Sequence, residues 1–259
     1  MRTAISIILN GMHHLPQQSK IIPLLFDKWI IVEGASKSNL CTSWCNDMPE
    51  EFHNNGSSVD GTVAFLKRLE EEQDNVEVYF ASGLWGGKVS MFNYGIQNSN
   101  PEDGHLWEID IDEYWEHNQI NNSEKLLKNT QHSCAKFSCN LPLNEEIIVR
   151  GAWGESTVEG YKRLWKYKKG SRFLSHEPPC LENEGNCLPP NLTPRFTHLS
   201  YYYEDQVKFK AKWYRGHEYI YEGWKEIITG KVQLPCGVDR LFKKPIMNSN
   251  WENTIITYI

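Results

Sequence analysis

Four short, largely apolar runs separated by helix-like stretches constrain the fold of this chain most. They cover residues 5–9, 29–32, 76–80 and 106–111, and Asn10-Gly11 and Glu33-Gly34 close the first two. A half-buried strand alternates apolar and polar residues, whereas these runs stay apolar on both faces, as strands covered on both sides do. Between them, residues 17–26, 62–72 and 88–97 carry helical periodicity, with Val63, Leu66 and Leu69 on one face of the second. Strand and helix in alternation predict an α/β fold with a mostly parallel sheet flanked by helices. Beyond residue 113 the pattern loosens. Residues 133–141, 146–151 and 172–174 read as strands, 178–194 as a long loop and 201–217 as a helix.

At 259 residues the chain fits one large domain or two small ones, and 40% hydrophobic residues suffice for a substantial core. The expectation is a single domain, with 1–113 as its sheet-building half and 114–259 completing the same body. A net charge of −6 argues against a nucleic-acid partner, because such partners are held by phosphate neutralisation. No apolar run approaches the ~18 residues that span a bilayer. The N-terminal run is too short for a signal peptide, so a cytoplasmic protein is expected. Seven cysteines, none in C-x-x-C spacing, support a zinc site weakly and are read as mostly reduced thiols. Asn191-Leu192-Thr193 is a formal glycosylation sequon that carries little without a secretory signal.

The chemistry concentrates where the fourth run ends, in Glu108-Ile109-Asp110-Ile111-Asp112-Glu113. Asp110 and Asp112 share one face of an extended chain, where two carboxylates repel unless a cation lies between them. Hard oxygen donors at that spacing suit Mg2+ or Mn2+ with phosphate oxygens completing the shell. In an open α/β sheet a ligand sits beyond the carboxyl ends of the strands. Asn10, Glu33, Asp60 and Lys88 fall at such ends and are expected to line the ligand pocket, with Asp110 and Ile111 on the same side. Gly86-Gly87-Lys88 opens a helix whose N-terminus attracts anions, without the spacing of a P-loop.

Residues Trp85-Gly86-Gly87-Lys88-Val89-Ser90-Met91-Phe92-Asn93-Tyr94-Gly95-Ile96, followed after 17 residues by Asp110, resemble the G-G-K-x-x-A-x-N-x-G segment and D-x-D strand of family 2-like glycosyltransferases with the glycosyltransferase-A fold. Asn10 and the 29–34 strand resemble that fold's opening. Phe196-Thr197-His198-Leu199-Ser200-Tyr201-Tyr202 and Gly216-His217-Glu218 resemble blocks of a smaller branch. The resemblance implies a metal-dependent, inverting transferase that moves a hexose or pentose from a nucleotide-diphosphate sugar to a glycan or other hydroxyl acceptor. It also implies Mn2+ or Mg2+ held by Asp110, Asp112 and His198. The family's E-D pair is not evident, since Glu204-Asp205 reads as part of a helix following His198, so the candidates for the general base are Glu177, beside Pro178-Pro179, and Glu155. Two other functions fit the residues: a nucleotide-binding module without turnover, and a sugar nucleotidyltransferase. The second expects a basic glycine-rich loop after the first strand, where this chain has Asn10-Gly11-Met12-His13-His14.

Overall fold

The computed structural model describes residues 1–38, 45–156, 160–244 and 253–259. The strands in chain order are β1 (Arg2–Ile8), β2 (Lys28–Glu33), β3 (Val76–Tyr79), β4 (Gly104–Glu108), β5 (Glu113–Tyr114), β6 (Cys134–Phe137), β7 (Cys139–Pro142), β8 (Ile147–Arg150), β9 (Tyr161–Tyr167), β10 (Phe173–His176), β11 (Pro179–Leu181), β12 (Cys187–Leu188), β13 (Phe196–His198), β14 (Cys236–Gly237) and β15 (Ile255–Tyr258). The helices are α1 (Leu15–Gln18), α2 (Ile22–Leu25), α3 (Thr62–Glu72), α4 (Lys88–Ser99), α5 (His117–Lys128), α6 (Ala152–Glu155), α7 (Glu204–Trp213), α8 (Ile220–Ile228) and α9 (Asp239–Phe242).

A seven-stranded sheet runs in the order β12-β6-β9-β4-β1-β2-β3. Strands β3, β2, β1 and β4 are parallel, as their two-sided apolar character requires, and β9 enters antiparallel beside β4. Trp29, Ile31 and Trp107 pack on one face, with Ile5, Ile30, Phe92 and Ile96 on the other. A second sheet, β14-β15-β8-β7-β13-β5, shares its core with α7, α8 and α9. Strands β6, β9 and β12 come from beyond residue 113 yet belong to the first sheet, so chain order and layer order interleave. The α/β architecture with helix-flanked sheets is the one expected. Among the described residues no helix is long and apolar enough to cross a membrane.

Several elements differ from the sequence reading. The helix expected over residues 17–26 is two separate four-residue turns, each with a proline in its first positions. Pro23 has no N–H to donate, and its ring crowds the preceding turn, so one helix cannot run through it. The strand expected over residues 133–141 is split at Ser138, which passes the chain from the first sheet (β6) to the second (β7). The loop expected over residues 178–194 is largely structured. It completes the β10–β11 hairpin and adds β12 to the edge of the first sheet. That edge placement also corrects the thiol reading for one pair. Cys134 and Cys187 are register partners across β6 and β12, and they form a disulfide with Cα atoms 4.5 Å apart despite 53 residues of separation. Cys45, Cys139, Cys180 and Cys236 carry free thiols, while Cys41 lies outside the described residues.

Candidate active site

Strand β4 lies in the first sheet and β5 in the second, so Asp110-Ile111-Asp112 is the turn that carries the chain between sheets. Its backbone is fastened on every side. Ile109 N donates to Ile5 O (3.0 Å) and Glu113 N to Asp110 O (2.9 Å), while Leu199 N donates to Asp112 O (2.8 Å). The Gln18 amide donates to the carbonyls of Ile111 (3.3 Å) and Glu113 (2.6 Å). Register pairing sets His198 of β13 directly opposite Glu113 of β5.

Arg163, on β9 beside β4, supplies the first countercharge. Its Nη2 donates to Asp110 Oδ2 (2.7 Å), its Nη1 to Glu108 Oε1 (3.1 Å) and its Nε to Glu113 Oε1 (2.8 Å). One guanidinium therefore faces three carboxylates, two of them fully buried. Loss of hydration pushes Glu108 well above the usual carboxylate range and Glu113 up to about 7, against the opposing pull of Arg163. His198 supplies the second countercharge, with Nε2 3.3 Å from Asp112 Oδ1. Burial opposes both charged forms, yet their mutual attraction wins. It lifts the His198 imidazole to about 10 and holds Asp112 well below the usual range. A third cation, the buried Lys210 of α7, contacts Ser200 Oγ and sits 4.5 Å from the Tyr201 ring centroid. Burial pulls its ammonium down, while Asp112 and then Asp110 pull it up.

One set of groups in this cluster has the donor chemistry of a divalent metal site. Single ligand atoms of Asp110, Glu113 and His198 all lie within 4.8 Å of one another. The structure thus groups Glu113 rather than Asp112 with Asp110 and His198, while Asp112 sits against the imidazole. His198 Nδ1 is buried without a hydrogen-bond partner. Two carboxylates and one imidazole fit Mn2+ or Mg2+.

The expected donor-pocket residues lie where the strand ends predict, and three of them already hold a neighbouring loop. Glu33 is fully buried and accepts from Ser58 N (2.7 Å). Burial raises its pKa against those Ser58 contacts, and its Oε2 is without a partner. Asn10, at φ 53°, accepts from Val59 N (2.8 Å) and donates to Phe52 O (2.7 Å). Asp60 accepts from Met12 N and Thr62 N (both 3.0 Å), so it ties the turn before α3 to the chain after β1. Lys88 opens α4, with Nζ 4.9 Å from the Trp213 ring centroid. Ile111 contributes the carbonyl that Gln18 holds.

Glu177 and Glu155 have opposite surroundings. Glu177 occupies the tip of the β10–β11 hairpin rather than the mouth of a long loop. That hairpin is clamped to α4, because Asn93 Nδ2 donates to Phe173 O (2.9 Å) and Phe173 N donates to Asn93 Oδ1 (2.7 Å). The Glu177 side chain is 43% exposed, yet protein on its inner side raises its pKa, offset in turn by Lys88 and Arg163. Lys88, Arg163 and Asp110 all act on this carboxylate, so it belongs to the same electrostatic cluster. Glu155 is already engaged. It accepts from Arg150 and Gly151 N (2.9 Å each) and from Arg195 (2.8 Å). Burial pushes its pKa up, but these contacts leave it lowered overall.

Sequence reasoning did not single out Arg163, Lys210, His176 or Glu108. Their only local signals were a lone arginine in a stretch read as no element, a lysine in the helix expected over 201–217, a histidine before Glu177 and a glutamate in an apolar run. Glu108 ends β4 itself, and the other three join the cluster only when the sheets bring them to that end.

No protein-family model matches the chain, and no curated protein sequence does. Solved structures give distant likenesses. S. aureus TarS 1-349 is 9% identical with a TM-score of 0.44, covering 82% of this chain and 64% of that one. The same fragment in complex with UDP-GlcNAc is 11% identical with a TM-score of 0.42, covering 82% and 65%. Mannosyltransferase PcManGT from Pyrobaculum calidifontis, in complex with GDP-Man and Mn2+, is 12% identical with a TM-score of 0.48, covering 93% and 67%. This chain thus spans just under two thirds of the TarS fragment. Overlap at this level assigns no residue of this chain a role.

Proposed function

We propose that this chain is a glycosyltransferase that uses a nucleotide-diphosphate sugar and a divalent cation to glycosylate a hydroxyl acceptor with inversion. One observation carries the reading. At the carboxyl end of β4, where α/β sheets bind ligands, Asp110, Glu113 and His198 converge within 4.8 Å, with Asp112 against the same imidazole. Asp110, Glu113 and His198, with Asp112 beside them, would hold Mn2+ or Mg2+. When bound, that ion supplies positive charge to the departing diphosphate. Lys88 at the α4 N-terminus adds to that potential. Asn10, Glu33 and Asp60 shape the donor side by fixing the loop before α3. Glu177 is the favoured general base for the acceptor hydroxyl, because its half-exposed carboxylate at the hairpin tip is open to an acceptor and belongs to the cluster, whereas Glu155 is held in its charged form by two arginines. Arg163 sets the positions of Asp110 and Glu113.

The test is incubation with UDP-glucose, UDP-GlcNAc and GDP-mannose in the presence of Mn2+. Transfer or hydrolysis releases the nucleoside diphosphate. Binding without release would make the chain a nucleotide-binding module, and pyrophosphate exchange would make it a nucleotidyltransferase. Asp112→Ala should abolish Mn2+-dependent nucleotide binding and lower the melting temperature, because it leaves the buried His198 without its counter-charge, so binding is measured well below the variant's own melting temperature. Unchanged Mn2+-dependent affinity in this variant removes Asp112 from the site. Glu177→Gln should slow turnover about 10²–10⁴-fold with donor affinity preserved, whereas Glu155→Gln should slow it little.

A further inference from the structure

The mechanism above leaves His176 without a task, although it stands between two groups of the cluster. Its side chain is 5% exposed. The ring stacks on Phe92 of α4, with centroids 5.3 Å apart and planes 28° apart, and Phe92 in turn packs on Phe173 at 4.9 Å. These contacts, with the Asn93 clamp on the same hairpin, fix the plane of the imidazole from inside the core. In that plane Nε2 faces Glu177 Oε1 at 3.4 Å and Nδ1 faces Glu108 Oε1 at 3.7 Å. Ser175 Oγ donates to Pro178 O (2.7 Å) and closes the turn around Glu177 from the other side. A carboxylate only accepts hydrogen bonds, so the tautomer that serves Glu177 carries its proton on Nε2. His176 Nδ1 and Glu108 Oε2 are both buried and without partners, so nothing else in the described structure orients the ring through hydrogen bonds.

We propose that His176 is a positioning residue that orients the Glu177 carboxylate for proton transfer from the acceptor. The proposal rests on the transferase reading and its choice of general base. A 3.4 Å contact is long for a hydrogen bond, and such contacts commonly tighten when the reacting complex forms. The ring nitrogen acts at a fixed distance from a core-packed plane, so a side chain with an N–H at the same reach should replace it and a shorter one should not. Glutamine places its amide near the position of Nε2, while asparagine places its amide near that of Nδ1.

The experiment compares His176→Gln, His176→Asn, Glu177→Gln and the double variant His176→Asn/Glu177→Gln. Nucleoside-diphosphate release is measured from whichever of the three sugar nucleotides turns over, with melting temperature and nucleotide affinity as checks on folding. His176→Asn should lower kcat about 10- to 100-fold with KM nearly unchanged, the scale of a lost hydrogen bond to a charged group. His176→Gln should recover most of that loss. The double variant should be no slower than Glu177→Gln, because His176 acts only through that carboxylate. Equal losses in the Gln and Asn variants, or multiplied losses in the double variant, would overturn the proposal. A normal rate in His176→Asn beside a slow Glu177→Gln removes the positioning role and leaves the base assignment standing. A normal rate in Glu177→Gln removes both.

Discussion

A half-buried and a buried arginine stand at opposite ends of the same sheet, and their surroundings separate scaffold from site. At the amino ends of the strands, Arg2 of β1 meets a single acid. Its Nε and Nη2 donate to Glu124 (2.8 and 2.7 Å), Nη1 donates to Leu25 O (2.9 Å), and Nη2 also reaches Asn121 (2.7 Å). Glu124 accepts Trp107 Nε1 as well (2.9 Å), with His105 at 3.5 Å. None of these atoms is left buried without a partner. At the carboxyl ends, Arg163 faces three acids at once, and Glu108, His176 and His198 each keep a buried polar atom unpartnered. A closed ion pair needs nothing further. An acid-rich cluster with unmatched atoms stores unfavourable desolvation that a cation and a polar ligand can relieve. Both ends are charged, but only around Arg163 are charged groups fully buried and polar atoms left unmatched.

The contrast breaks most visibly at Arg163. Arg163→Met leaves Glu108, Asp110 and Glu113 facing one another without their common partner. The expected loss is about 3–5 kcal/mol in denaturant unfolding, with loss of turnover. A midpoint within a few tenths of molar of the wild type would show that the acids do not depend on Arg163.

At the other end the expected loss is smaller and confined to stability. Glu124 is held at about 2 against a reference of 4.5; burial pushes it up, and the hydrogen bonds from His105, Arg2 and Trp107 overcome this. A carboxylate depressed in the folded state stabilises above its unfolded pKa, and that contribution disappears as pH falls from about 4.5 to about 2. The shift corresponds to roughly 3 kcal/mol. Wild-type stability should thus decline across this window, and Glu124→Gln should flatten the decline. Turnover per folded molecule at neutral pH should stay as in the wild type. A steep acid limb retained in the variant would assign that pH dependence to other carboxylates.

The smallest effect is expected where an ion pair is merely exposed. Lys169 meets Glu102 at 2.6 Å with side chains 41% and 68% exposed. Lys169→Ala should change stability by less than about 1 kcal/mol, because solvent and salt screen such a pair. A larger loss would mean that the backbone contact from Lys169 N to Asp103 (2.8 Å) is coupled to it.

Much of the first half was legible because local pattern and tertiary role coincide there. The runs that became β1 and β2 are apolar on both faces because both faces are covered, whereas β3, at the sheet edge, alternates, with Glu77 and Tyr79 half-exposed. Thr62–Glu72 and Lys88–Ser99 form where the periodicity starts, since Gly61, at φ 98°, and Gly87, at φ 144°, turn the chain into them and Asp60 accepts the first N–H of the former. The carboxyl-end rule brought Asn10, Glu33, Asp60, Lys88 and Asp110 to one edge without any contact being known. It did not say that Asn10, Glu33 and Asp60 would spend hydrogen bonds on the 52–62 loop.

The sequence by itself determined the layer type, the edge at which the chemistry gathers and the carboxylates of the β4–β5 turn, because each follows from periodicity within a few residues. Tertiary structure alone decided which cations face those carboxylates and which base candidate is available. Arg163 lies 53 residues beyond Asp110, and His198 belongs to a different sheet. The same holds for the Cys134–Cys187 disulfide and for the Asn93 clamp on the Glu177 hairpin. Strand pairing across long separations is set by how whole layers bury their apolar faces, and no local pattern records which distant side chain a register will bring opposite.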